Sequence, residues 1–183
     1  MLVIGVAGMR AAGKTTVNEV AKGMGVNSME MRSIVVDMMK EKGIEITNRS
    51  LREFADGLRK REGYDIVARR MIESINGMKE KALVVNGIRG YDELKRFREA
   101  FGDNFVLIGV FAPQKMRFER VMNRSLPEDP KSWDEFLWAD EKELGWGIAD
   151  SFAFSDYMVV NMGSKEQMRR EVEKLLKNLL RKG

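Results

Sequence analysis

The chain contains no cysteine and no histidine. Without cysteine there is no disulfide framework and no thiolate chemistry, an absence that suits a reducing compartment. Without histidine there is no His-based triad, no imidazole acid–base catalysis and no His-ligated zinc. Any metal must then sit on oxygen ligands, which points to magnesium or a similar hard ion. Long apolar runs are missing too. Met1 to Ala7 is the longest such stretch at the N-terminus, and glycine and charge follow at once. It is too short for a signal peptide and far too short to cross a bilayer, so a cytoplasmic protein with no membrane partner is expected. Repeats, low-complexity tracts and linkers are absent as well.

What is present fits one globular domain. The 183 residues are 44% hydrophobic and 33% charged, enough to bury a core and too apolar for disorder. The formal net charge is +4. A basic balance suits nucleic acid or a polyanionic small molecule. Arg69, Arg70, Arg96 and Arg98 raise the first option. No nucleic-acid motif or aromatic-studded basic strand accompanies them, so nucleic acid is not expected as a partner. Acids and bases alternate along most helical stretches, as on a solvated surface.

Strand and helix signals alternate. Leu2 to Ala7, Leu83 to Val85, Phe105 to Phe111 and Tyr157 to Val160 read as short buried strands. A further short strand fits near Val26. Gly13 to Gly23 reads as a helix. Met31, Ile34, Val35, Met38 and Met39 fall at helical spacing, as do Leu51, Phe54, Ala55 and Leu58, then Ile66, Val67, Met71, Ile75 and Met78. Pro113 suits the first turn of another helix. Ser132 to Glu135 and Ser164 to Gln167 match capping boxes. The last helix carries Met168, Val172, Leu175, Leu176, Leu179 and Leu180 on one face. The alternation predicts an α/β fold with a parallel sheet covered on both faces.

Gly8-Met9-Arg10-Ala11-Ala12-Gly13-Lys14-Thr15 matches G-x-x-x-x-G-K-[ST], between an expected strand and an expected helix, with Thr16 following. In such a loop, backbone N–H groups and the positive end of a helix dipole hold dense phosphate charge. Gly8 and Gly13 permit backbone geometry that a Cβ obstructs. Lys14 is expected on the β- and γ-phosphates of ATP or a similar triphosphate, and the Thr15 hydroxyl on Mg2+. Arg10 either adds a phosphate contact or faces solvent. A second metal-holding acid is expected at the end of a neighbouring strand, where Asn86 stands in Leu83-Val84-Val85-Asn86-Gly87-Ile88-Arg89. Asn86 can bond a metal-bound water but brings no charge.

With these residues in place, the sequence resembles the nucleoside-monophosphate-kinase and dephospho-CoA-kinase branch of P-loop proteins. It is similar to an archaeal family related to adenylate kinase and dephospho-CoA kinase. The resemblance spans nearly the whole chain. It rests on the phosphate loop, on Asn86-Gly87-Ile88-Arg89, on Arg117 to Arg124, and on Asp140-Glu141-Lys142-Glu143-Leu144-Gly145. It implies a three-layer α/β/α P-loop NTPase fold with a five-stranded parallel sheet. The core would comprise residues 1–28, 82–124 and 147–183, with a helical acceptor-binding insert at 29–81 and a lid at 125–146. Arg89 would grip the acceptor phosphate, and Arg120 and Arg124 would cover the adenine and phosphates of ATP.

The chain departs from the branch in several places. Relatives carry Gly-Asp and a later Arg after the second strand, where Arg32, Ser33 and Val36 align; Arg32, Arg59 and Arg70 are the available substitutes. Ala139 replaces an arginine of the lid. Phe136, Trp138 and Trp146 crowd the lid and are read as packing groups before base-stacking ones. A hydroxyl acceptor needs a base, whereas a phosphate acceptor is already ionised. With Ser33 at the base position and Glu30 and Asp37 as stand-ins, the expectation is transfer of the γ-phosphate of ATP to a small nucleotide-like acceptor. Transfer to a hydroxyl, and a regulatory ATPase, remain as alternatives.

Overall fold

A computed structural model describes residues 1–126 and 129–182. Residues 127 and 128 of the expected lid, and residue 183 of the expected core, lie outside the described residues.

Five strands form one sheet: β1 (Leu2–Ala7), β2 (Asn27–Glu30), β3 (Ala82–Ile88), β4 (Phe105–Phe111) and β5 (Tyr157–Val160). Their order is β2-β3-β1-β4-β5, and each neighbouring pair is parallel. The apolar runs of β1, β3 and β4 form strands because both faces are covered, so no polar alternation is required; β5, expected to be buried, is an edge strand that buries only Val159 and leaves Tyr157, Met158 and Val160 exposed. Successive side chains then serve opposite cores. Val3, Val85 and Leu107 face one, Ile4, Val84 and Ile108 the other.

The first core is closed by α2 (Met31–Glu41), α3 (Asn48–Glu62), α4 (Ile66–Ile75), α5 (Tyr91–Phe101) and α8 (Ile148–Ala153). The second is closed by α1 (Lys14–Gly23) and α9 (Lys165–Lys182). The methionine stripe of α2 is core filler: Met31, Val35 and Met39 are buried. In α9 the expected apolar face is the packed one, through Met168, Val172, Leu176 and Leu179. Two further helices, α6 (Gln114–Arg124) and α7 (Trp133–Gly145), follow β4.

Several local expectations shift. The α4 helix ends at Ile75, so Met78 lies in the following turn, where its amide bonds Ile75 O. Pro113 is the cap residue of α6 rather than a member of its first turn. Ser164 and Gln167 make both bonds of a capping box. Ser132 makes only one, because the Glu135 carboxylate accepts from Lys131 N at 2.7 Å instead. A capping box at Thr47 and Ser50 carried no expectation; Ser50 takes the reciprocal role usually filled by Glu or Gln.

The connection from β1 through α1 leads to β2 on one side of the sheet, whereas that from β3 through α5 leads to β4 on the other side of β1, so the strand order reverses there. Ligands in open α/β sheets bind at such a crevice. The loop between β1 and α1 opens into it.

Candidate active site

Residues 8–13 form the turn from β1 into α1. Gly8 allows close approach to β4, since a Cβ there would lie 2.8 Å from Val110 O. Gly13 has φ +111°, a left-handed conformation that L side chains rarely adopt, and its position at the N-cap starts α1. Ala11 also has positive φ, 59°, a strained geometry of the kind found at ligand-binding turns. The Lys14 ammonium curls back over the loop and donates to Gly8 O at 2.7 Å and Met9 O at 3.1 Å.

A cavity of about 280 Å³ lies above this loop. Arg10, Ala11, Gly13, Lys14 and Thr15 line its floor, and Glu30, Asn86, Gly87 and Arg89 come from the ends of β2 and β3. Arg52, Arg59, Asp129, Glu143 and Trp146 close it from the side of α3 and α7, with Arg124 at the rim. Loss of hydration pulls Lys14 from 10.5 down to about 8; Arg89 and Arg10 press the same way, while Glu143 and Glu30 oppose it.

Asn86 sits at the end of β3 beside Glu30 of β2, with which it is paired in the sheet. Its amide donates to Glu30 Oε1 at 3.0 Å, and Asn18 of α1 donates to the same oxygen at 2.7 Å. A carboxylate of the adjacent strand therefore stands directly against Asn86. An aspartate at 86 would set two carboxylates against each other, a pair that cannot both ionise cheaply. Asn86 Oδ1 is buried and has no hydrogen-bond partner among the described residues. Such an atom needs a donor, and a metal-bound water fits it. Together with the Thr15 hydroxyl, this oxygen suits the hard-ion chemistry of Mg2+. Among the described residues there is no group of three or more acids that could hold a metal alone.

Of the acceptor-side arginines named from sequence, Arg32, Arg59 and Arg89 reach the cavity, whereas Arg70 is exposed and paired with Glu73. Arg89 donates to Gly87 O at 3.2 Å, and its backbone amide donates to Glu93. Arg59 is held by Glu93 at 2.7 Å and lies 4.6 Å from the Trp146 ring centroid, a cation–π stack. Asp37 is exposed, pairs with Lys40, and is not in the cavity lining. Ser33 donates its hydroxyl to Glu30 O.

Arg10, Arg120 and Arg124 are arranged around the phosphate loop. Arg10 does not face solvent: its guanidinium reaches Asp129 Oδ1 at 2.9 Å, with 15% of the side chain exposed. Arg124 grips both oxygens of the same carboxylate, at 2.6 and 2.7 Å. Burial tends to neutralise Asp129, but Arg124 and Arg10 hold it below the usual carboxylate range. Arg120 lies on the outer side of the loop, donating to Ala11 O and Asn161 O, and is not in the cavity lining.

Beyond Arg59–Glu93, two further buried ion pairs carried no expectation. Arg117 forms a two-pronged bond to Asp140, at 2.9 and 2.6 Å, and also donates to Ala112 O and Arg10 O. Arg52 donates from both terminal nitrogens to Glu143 Oε1, each at 3.2 Å. Burial opposes ionisation of Glu143, yet Arg89, Arg52, Lys14 and Arg10 outweigh it and bring the carboxyl from 4.5 to about 2. Desolvation lowers Arg52 to about 10. A signal for these acids exists in the sequence. Phe136, Ala139, Asp140 and Glu143 are the buried residues of α7, spaced as one helical stripe. Two acids on an apolar stripe mark buried partners. Phe136 itself packs edge-on against Phe118, as a structural group. Trp146 lines the cavity, whereas Trp138 stands beside Lys142.

The comparisons with known proteins agree with this architecture. A sequence family described as "AAA domain" matches residues 4–143. A UPF0200 protein of Methanothermobacter thermautotrophicus is 35% identical over 183 residues, all of this chain and 93% of that one. Another, from Hyperthermus butylicus, is 37% identical over 182 residues, covering 100% of this chain and 97% of its own. The match to the Thermococcus onnurineus relative, 42% identical, spans 103 residues, about half (56%) of each chain. Among solved structures, a gluconokinase from Sinorhizobium meliloti superposes with TM-score 0.61 at 15% identity, covering 99% of this chain and 94% of its own. A shikimate kinase from Acinetobacter baumannii gives TM-score 0.60 at 14% identity, covering 100% and 94%. These last two share the fold of this chain.

Proposed function

This chain belongs to the archaeal UPF0200 family, and from that premise we propose that it is an ATP-dependent phosphotransferase acting on a hydroxyl of a small, anionic, nucleotide-like acceptor. The P-loop kinase fold and the geometry of residues 8–15 support ATP as donor. The observation that carries the choice of a hydroxyl is Glu30. Its carboxylate stands at the cavity, fixed by the amides of Asn86 and Asn18. The expectation of an already ionised acceptor rested on the lack of a base at Ser33. Glu30 fills that need from three residues earlier.

In this reading the amides of residues 8–14 and the Lys14 ammonium hold the donor phosphates. Lys14 stabilises the charge that develops on the transferred group. Arg52, Arg89 and Arg59 supply positive charge on the acceptor side, which suits an anionic molecule. Glu30 takes the acceptor hydroxyl proton as the oxygen bonds to the γ-phosphorus and the bond to ADP breaks. Thr15 and Asn86 would hold Mg2+, directly and through water, and the ion would neutralise charge on the phosphates. Closure of α7 over the cavity keeps water from the reacting phosphate.

Glu30→Gln tests the reading. It preserves size and an acceptor oxygen for the two amides while removing the base. The expected result is a 10²–10⁴-fold loss, order of magnitude, in phosphoryl transfer, with MgATP affinity within about threefold of wild type. Unchanged transfer would overturn the hydroxyl assignment.

A further inference from the structure

Glu143 lines the cavity among several of its cations. Its side chain is 4% exposed and its Oε1 takes both terminal nitrogens of Arg52. Arg89, Lys14 and Arg10 also act on it electrostatically. A carboxylate in that position has the charge, and nearly the shape, of a ligand's anionic group. It already satisfies the cations that a ligand would use. Asp140 lies three residues earlier on the same face of α7 and is anchored separately to Arg117. Release of Glu143 therefore requires only the end of α7 to yield, while the rest of the helix stays attached.

We propose that Glu143 is a specificity-determining residue: a placeholder anion that a ligand must displace, which admits a phosphate-bearing acceptor and screens out a carboxylate-bearing one. The proposal rests on the phosphotransferase reading above and names the anionic group of its acceptor. An incoming carboxylate exchanges one two-oxygen monoanion for another. It recovers the contacts that Glu143 gives up and gains little more. A phosphate monoester carries nearly two charges and three terminal oxygens. It can engage Arg52 and Arg89 together, and the Coulomb term scales with the added charge. The cost of expelling Glu143 is the same for both ligands. It acts as a fixed threshold that the monoanion does not clear, much as a minor binding-competent state weakens every ligand by one factor.

The test uses calorimetric titration of the whole protein with MgADP saturating the phosphate loop, and inorganic phosphate and acetate as probes. Wild type is expected to bind phosphate and to give no measurable acetate binding. Glu143→Gln should tighten phosphate at least tenfold and bring acetate into the measurable range. Arg52→Gln should remove phosphate binding in both backgrounds. A Glu143→Gln protein that binds phosphate no tighter than wild type, or a wild type that binds acetate as tightly as phosphate, overturns the proposal. Thermal melting checks that the variants fold. A second measurement needs no variant: saturating phosphate should speed hydrogen exchange in the last turn of α7 in wild type, and unchanged exchange there contradicts displacement. The two readings fail separately. Absence of Lys14-dependent MgADP binding sinks the phosphotransferase reading, and this proposal with it. Normal MgADP binding with no effect of Glu143→Gln sinks only the placeholder.

Discussion

Asp140→Asn leaves the shape of α7 nearly unchanged and strands the Arg117 guanidinium. Both side chains are deeply buried, at 5% and 3% exposure, and joined by two short bonds. Breaking a buried pair by removing one charge costs about 3–5 kcal/mol, because the remaining ion keeps its desolvation penalty. Asparagine still offers one acceptor oxygen, and Arg117 keeps the carbonyls of Ala112 and Arg10, so the lower end, about 3 kcal/mol, is expected. Replacing both partners, as Arg117→Met with Asp140→Leu, removes the stranded charge and should recover most of that loss. Urea denaturation followed by tryptophan fluorescence gives the three stabilities, and the double-mutant cycle isolates the pairwise term. The functional readout should move the other way. Arg117 joins α7 to the carbonyl of Arg10 in the phosphate loop, so the stable apolar pair should still lose phosphoryl transfer. A loss below about 1 kcal/mol for Asp140→Asn refutes the assignment of a tightly coupled buried pair.

Two further predictions concern the cavity floor. The Lys14 ammonium has its pKa lowered to about 8 in the empty protein, and bound phosphate must raise it again. Only the protonated form binds well, so MgATP affinity should be flat below pH 8 and weaken above it, approaching tenfold per pH unit; calorimetry in two buffers should show proton uptake near pH 8.5, and a flat profile to pH 10 contradicts the shift. Asn86→Asp replaces the donor to Glu30 with a second carboxylate, and should destabilise the metal-free protein by about 1–3 kcal/mol, with part of the loss restored by Mg2+; a metal-free variant as stable as wild type in thermal melts would show that the amide bond to Glu30 matters little.

The strands and the phosphate loop were legible because their signals are local. A buried parallel strand is a short apolar run, and the loop is a contiguous motif between a strand and a helix. The second-strand end was harder: Glu30 gains meaning only when β2 pairs with β3 and brings it against Asn86, 56 residues away. The ion pairs of the cavity wall are longer in range still. Arg52 meets Glu143 across 91 residues and Arg10 meets Asp129 across 119. The charges of Arg52 and Glu143 belong to helices whose acids and bases alternate as on any solvated surface, so composition hides them. Arg10 illustrates the difference, since a loop arginine without a visible partner leaves phosphate and solvent as its alternatives, and the carboxylate comes from the far side of α6.

The central claim is phosphoryl transfer from ATP at the loop that contains Lys14. The most direct measurement incubates the protein with Mg-ATP and a panel of nucleosides, nucleoside monophosphates, dephospho-CoA and other phosphorylated alcohols, with products read by mass spectrometry and Lys14→Ala as control. One acceptor should gain a phosphate on a hydroxyl, and that product should be lost in the Lys14 variant. Release of only ADP and free phosphate across the panel, or a product that survives Lys14→Ala, would contradict it.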